Sequence, residues 1–334
     1  MKSRFTRLSS LASLLTIGAI ASASGLHAQE VGEYGFLNLP ASARAAALGG
    51  TNISVVEPEL PLADQNPALL CTEMAGQAAL SYLNYIGDIN VGYAGYAGKF
   101  MSRGAWLASV KYVNYGHFDG YDEFGTKTGA FSAQDIAFNF GLGHAINDYW
   151  SIGGTLRGIY THYESYSAFA LGVDVGLNYY NEVSGRSISM TLTNLGGQLK
   201  SLTEGHRNHL PTQLNIGWTK DLEHLPFDMT LTAYDLLDWD QNYRDDMGEE
   251  HKFSGGEQIL NHLLLGAEWL PTENFWIAAS YNYRRQRLYS GMGGWLRGVS
   301  LGAGLTYRQL NLQCSYARYN AADGSLHIGL SYSF

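Results

Sequence analysis

Charge is scarce in this chain. Asp, Glu, Lys and Arg make up 15% of its 334 residues, where a water-soluble domain carries about a quarter. Beyond the first residues no window approaches about 18 consecutive apolar positions, so no transmembrane helix is expected in the mature protein. The net charge of −9 argues against nucleic acid, whose phosphates need a surface of clustered Lys and Arg. Cysteine is limited to Cys71 and Cys314. They could pair in an exported protein, but Cys314 shares parity with Leu312 and Tyr316 and should face outward, so two free thiols are expected.

What is abundant is Gly, at 40 residues, and Tyr, at 23, set in short alternating runs. The chain ends on LHIGLSYSF, where Leu326, Ile328, Leu330, Tyr332 and Phe334 fall on one parity and His327, Gly329, Ser331 and Ser333 on the other. A period of two is the mark of a strand with one apolar face. Fourteen such runs follow one another: 77–87, 89–99, 104–116, 130–146, 149–161, 164–180, 185–196, 210–221, 227–238, 257–270, 274–287, 294–307, 309–319 and 324–334. Several exceed the roughly 5–6 residues usual in soluble strands.

The connections alternate as well. Asn147-Asp148, Asn181 to Gly185, Pro271 to Asn274 and Arg308-Gln309 are tight, while Asp119 to Thr128, Gly197 to His209 and Trp239 to Gly256 are long. Outer-membrane barrels have short periplasmic turns, longer extracellular loops and an even strand number. The expected fold is therefore all-β: a transmembrane antiparallel β-barrel of about 14 strands, with both ends in the periplasm. The terminal Phe334 should sit in the periplasmic aromatic girdle.

Residues 1–28 read as a signal peptide, with MKSRFTR as the basic start, a short apolar stretch, and Leu26-His27-Ala28 before the cut. Residues 77–334 form the expected barrel. Between them, residues 29–76 break the strand pattern. A short helix is expected at Ser42 to Leu48, stopped by Gly49-Gly50. The segment is too long and too apolar for an ordinary loop, so it is expected to lie inside the lumen as a hatch.

FLNLPASARAAALGG, followed by DQNPALL, resembles the start of the PorV/PorQ family of type IX secretion outer-membrane proteins, and most closely its PorQ branch. Asn66-Pro67-Ala68 is similar to the NPA triplet in the hatch of the wider FadL-like superfamily, and Thr193-Asn194-Leu195-Gly196 resembles another recurrent feature. The resemblance spans essentially the whole mature chain. It implies a non-enzymatic outer-membrane component, in a Bacteroidota-like Gram-negative bacterium, that anchors a surface attachment complex. The implied partners are the surface protein PorZ, the sortase-like PorU and the sister barrel PorV. The alternative is a FadL-like transport channel for hydrophobic molecules, for which Gly153-Gly154 and Gly293-Gly294 are candidate kinks.

Enzyme chemistry finds little support. No Lys has Ser three residues before it, which excludes the penicillin-binding arrangement. Gly298-Val299-Ser300-Leu301-Gly302 matches G-x-S-x-G, with Asp323 and His327 downstream, but it lies inside a strand instead of at the sharp elbow the motif needs. His206 and His209 are too few for a tight metal site, and the acidic loop lacks the Gly and terminal Glu of an EF-hand. No cofactor and no metal are expected. The loop carrying Trp239, Tyr243, Asp245, Asp246, Glu249 and Glu250 is the expected partner surface, because complementary charge steers encounter. Arg285 and Arg287 follow Tyr281 and Tyr283 outward by parity, where they could bind lipopolysaccharide phosphates among the outer-membrane lipid. Asp135, Arg157 and Asp174 share inward parity on successive strands and are expected to pair or to grip the hatch.

Overall fold

The computed structural model describes residues 34–334, apart from 122–126, 203–206, 223, 240–242, 245–249, 252, 289–296 and 319–323. Fourteen strands form the wall: β1 Gln77–Ile86, β2 Ile89–Phe100, β3 Gly104–Tyr121, β4 Lys127–Ala145, β5 Trp150–Tyr163, β6 Tyr166–Asn181, β7 Arg186–Lys200, β8 Gln213–Asp221, β9 Phe227–Ala233, β10 Leu263–Thr272, β11 Phe275–Asn282, β12 Val299–Tyr307, β13 Leu310–Ala317 and β14 Ser325–Ser333. Each pairs antiparallel with its neighbours in sequence, and β14 pairs with β1 to close the barrel. A closed barrel leaves no strand edge, which is what lets a sheet cross a bilayer.

Alternation decides which side chain meets lipid. On β6, Phe169, Leu171, Val173, Val175 and Leu177 are exposed while Ala170, Gly172, Asp174, Gly176 and Asn178 are buried. On β14, Leu326, Ile328, Leu330 and Tyr332 point out, whereas His327 and Ser331 point in. Aromatic rings gather at the level of the tight turns: Trp150 and Tyr179 lie 5.1 Å apart, Phe227 and Trp269 6.5 Å, and Tyr332 and Phe334 4.9 Å. Such a belt marks a membrane interface.

The lumen is occupied by residues 34–76. Helix α1, Ala43–Ala47, starts at Ser42, whose Oγ accepts from the Arg44 and Ala45 amides. It ends at Gly49 and Gly50, both with positive φ, a conformation that favours glycine. The rest is short 3₁₀ turns. Tyr34, Phe36, Leu37 and Leu39 pack on Leu83, Val91, Val113 and Ile159 in the extracellular half. Leu60, Ala63, Leu70 and Met74 pack on Tyr93, Ala97 and Leu107 below. Ala45, Leu48, Val55, Leu62 and Leu69 pack on Trp276 and Ala278.

Two stretches depart from the expected strands. Residues 255–261 form helix α2, Gly255–Asn261, and residues 283–288 form helix α3, Tyr283–Leu288. Both lie on the side of the long loops. The signal for α2 is a capping box: Ser254 Oγ accepts from the Glu257 amide and the Glu257 carboxylate accepts from the Ser254 amide.

Candidate functional site

Charged groups pin the hatch to the wall. Arg44 Nε donates to Glu268 on β10 at 2.7 Å. The same guanidinium lies 3.8 Å from Glu59 and 3.5 Å from Glu57, and 5.1 Å from the ring of Trp276. Ser42 Oγ donates to Glu59 at 2.5 Å. On the opposite wall, Lys111 of β3 donates to Asp64 at 3.0 Å and to the Leu39 carbonyl at 2.9 Å. Asn139 Nδ2 adds a bond to Asp64 at 3.0 Å. Arg44, Glu268, Lys111 and Asp64 are all buried. A buried charge is tolerable only when paired in this way. Lys111 and Glu268 sit mid-strand at inward parity, so the pattern that finds the lumen contained these anchors too.

The Asn66-Pro67-Ala68 triplet is an N-terminal cap. Asn66 Oδ1 accepts from the Ala68 amide at 3.0 Å, while its Nδ2 donates to the Ile53 carbonyl at 2.7 Å. Ser151 Oγ donates to the Ala68 carbonyl at 2.7 Å. The triplet lies directly on wall glycines. A Cβ at Gly153 would stand 2.2 Å from the Pro67 carbonyl carbon, and one at Gly176 2.1 Å from Asn66 Oδ1. Gly153 therefore makes room for the hatch and does not mark a kink; Gly293-Gly294 lies outside the described residues.

Two of the three lumen charges meet. Arg157 donates to Asp174 at 2.6 Å. The other Asp174 oxygen accepts the Asn194 amide at 2.6 Å. Asn194 has φ 57°, and its side chain donates to Asn38 of the hatch at 3.1 Å and to the Pro211 carbonyl at 3.2 Å. Asp135 stands apart: it accepts hydroxyls from Tyr115 and Thr161 at 2.6 Å and from Tyr163 at 2.9 Å.

Asn194 bulges β7, with a register shift between Val173 and Val175 of β6. The β7–β8 ladder ends at Thr193–Gln213, although β7 continues to Lys200. Above that level the edge of β7 is bonded to residues 208–212 of the loop instead of to β8: a Gly197–His209 bridge, an amide bond from Gln198 to the Asn208 carbonyl at 3.0 Å, one from Leu210 to the Gly196 carbonyl at 3.1 Å, and the Thr212 hydroxyl to the Asn194 carbonyl at 3.0 Å. At the extracellular ends of β6 and β7 a cleft of about 830 Å³ is lined by Ser165, Tyr166, Ser167, Leu199, Lys200, Ser201, Leu202 and Arg207. Tyr166 and Leu199 are exposed within it.

The arginines correct the parity argument. The strand stops at Asn282, and in the helix that follows successive side chains turn by about 100° instead of alternating. Arg285 does not face lipid: it donates to the Gly49 carbonyl of the hatch at 2.6 Å and to Ser300 Oγ at 3.4 Å. Arg287 donates to Glu257 of α2 at 2.8 Å, and Arg284 to Asp235 at 3.1 Å. Ser300 is fully buried inside β12, so the G-x-S-x-G match forms no elbow; Asp323 lies outside the described residues.

The acidic loop is described only in part. Trp239 is exposed, its indole donates to the Leu236 carbonyl at 2.8 Å, and its ring lies 4.6 Å from that of His262. Tyr243 and Glu250 lie on the two strands of a small ribbon, Tyr243–Arg244 and Glu250–His251. Asp245, Asp246 and Glu249 fall outside the described residues, as does His206. His209 makes the bridge to Gly197 that is described above. Both cysteines are free. Burial pushes the Cys71 thiol up to about 12, helped by the neighbouring Glu73.

This geometry defines a closed fourteen-stranded membrane barrel with its N-terminal segment packed in the lumen. No family model matches the chain, and no curated protein matches it. Solved structures do. The Pseudomonas putida toluene transporter TodX superposes with a TM-score of 0.54 at 12% identity, over 89% of this chain and 99% of that one. The CymD monoaromatic hydrocarbon channel gives 0.54 at 11%, over 90% and 99%. The chain therefore shares the fold of these two channels.

Proposed function

We propose that the chain lets small hydrophobic molecules cross the outer membrane of a Gram-negative bacterium. The observation that carries this reading is the break between β7 and β8. A hydrophobic solute need not displace the hatch. It can enter at the extracellular rim, against Tyr166 and Leu199, and leave sideways into the bilayer where the ladder ends above Thr193–Gln213. The cleft has the size of ordinary ligand pockets. The shared fold supports the reading, since TodX and CymD are hydrocarbon channels. The test is uptake of labelled toluene by Gram-negative cells that lack other hydrocarbon channels. Expression should raise the initial rate several-fold, and an unchanged rate would refute transport of this class.

A second reading is favoured by the packed, ion-paired lumen and by the resemblance of residues 36–50 to the PorV/PorQ family. In it the barrel anchors a type IX secretion attachment complex, holding PorZ with PorU and PorV at the surface of a Bacteroidota cell. A pull-down from gently solubilised membranes decides it: co-purification of a large surface protein with a sortase-like protein supports the anchor, and recovery of the barrel alone sinks it. The exposed Trp239 and the acidic residues after it belong to this reading, as the docking surface.

A further inference from the structure

The lipid-phosphate contact expected of Arg285 and Arg287 is closed to them, because one bonds the hatch and the other α2. Two other cations stand where such a contact needs them. Lys200 ends β7 and Arg207 lies in the loop that follows. Both are exposed, and both line the extracellular cleft. Among the described residues neither takes a carboxylate partner, whereas Arg44, Lys111, Arg157, Arg284 and Arg287 all do. Lys200 Nζ donates to Ser167 Oγ at 2.8 Å. None of the residues lining the cleft is acidic, and the rest of its polar lining is hydroxyl.

Strand register fixes the height of these cations. Tyr160 of β5, Phe169 of β6 and Lys200 of β7 stand side by side, and directly opposed residues share one face of a sheet. Tyr160 and Phe169 are exposed on the lipid side. Phe169 lies ten residues along β6 from Tyr179, which stacks with Trp150 in the periplasmic belt. A rise of about 3.4 Å per residue and a strand tilt of about 40° put roughly 25 Å of height between the two rings, the full apolar band of an outer-membrane barrel. Lys200 is therefore at the outer edge of the bilayer, level with the lipid headgroups. Below it Leu171 and Val173 of β6 and Leu195 of β7 are exposed, a surface for acyl chains.

We propose that this cleft binds the phosphorylated sugar headgroup of an outer-leaflet glycolipid. Lys200 and Arg207 hold the phosphate, and the Ser165, Ser167 and Ser201 hydroxyls face the sugar. A guanidinium takes a phosphate through two parallel N–H bonds and an ammonium takes it as a point charge. Unpaired cations directly above an apolar face fit an anionic lipid better than a soluble anion, which has no use for the face below. The claim rests on the place of the barrel in the outer membrane and not on transport, so its readout is bound lipid and not uptake.

The test is binding of lipid A to the purified barrel in detergent, followed by native mass spectrometry. The native chain should retain lipid A and should bind its dephosphorylated form at least about tenfold more weakly. Lys200→Glu with Arg207→Glu should lower lipid A affinity at least about tenfold. Lys200→Gln with Arg207→Gln should also weaken it, and serves if charge reversal disturbs assembly. Lys99→Glu with Arg186→Glu reverses two exposed cations at the periplasmic rim and should leave binding unchanged. A soluble glucosamine phosphate should compete poorly. Native-like affinity in the folded Lys200 and Arg207 variants would overturn the proposal, as would equal binding of dephosphorylated lipid A. An equal loss in the periplasmic variant would show charge acting without a site, and full displacement by the sugar phosphate would show a soluble ligand; either result contradicts a lipid site.

Discussion

Arg44 of the hatch and Glu268 of the wall meet at 2.7 Å, and neither side chain reaches solvent. Removing one member of such a pair strands the other, at a cost of about 3–5 kcal/mol. Arg44→Met should therefore lower the heat-modification midpoint of the barrel on gels strongly. Adding Glu268→Leu should recover part of that loss, because the stranded carboxylate is gone. An additive double variant would show that the two residues act independently.

The strands were legible because lipid outside and a polar or small-residue lumen inside impose a period of two on every crossing. All fourteen expected strands overlap observed ones. Errors fell where that constraint ends. Above the membrane β9 stops at Ala233, and two predicted strand ends are helices. The capping box at Ser254 was readable, whereas nothing in the alternation announces that Tyr283 begins a turn of helix. The inward parity of Arg157 and Asp174 was readable too. Their pairing with each other, while Asp135 takes hydroxyls, depends on strand stagger that one sequence does not carry.

The wall glycines under the Asn66 triplet predict a sharp contrast. Gly153→Ala forces a methyl into the Pro67 carbonyl, an overpacking worth about 1–3 kcal/mol. Limited proteolysis should then cut residues 34–76 faster. Gly92→Ala meets nothing within 4 Å and should leave proteolysis unchanged. Equal behaviour of the two variants would contradict the close packing of hatch on wall.

Asn194 tests the bulge. Its left-handed backbone costs an ordinary residue about 1–2 kcal/mol, and its amide holds Asn38 and Pro211. Asn194→Ala should lose both contributions and Asn194→Gly only the second. The expected order of thermal midpoints is native, then Gly, then Ala.

Cys71 should be nearly inert at neutral pH. Its folded pKa is raised to about 12, and only the thiolate attacks an alkylating reagent. In a Cys314→Ser background, iodoacetamide labelling at pH 8 should be at least about a hundredfold slower than that of a free thiol. It should accelerate as the pH rises toward that value. Rapid labelling at pH 8 in the folded barrel would show that Cys71 is not buried as described.

The most direct test of the transport account closes the wall break in one molecule. An ideal Cβ at Gly197 lies 3.7 Å from the His209 Cα, close enough for a disulfide. Gly197→Cys with His209→Cys, in a chain without Cys71 and Cys314, staples the β7 edge to the loop. Toluene uptake by cells carrying this variant should fall to the background rate when oxidised and return when reduced. Uptake that is the same in both states would contradict passage between β7 and β8.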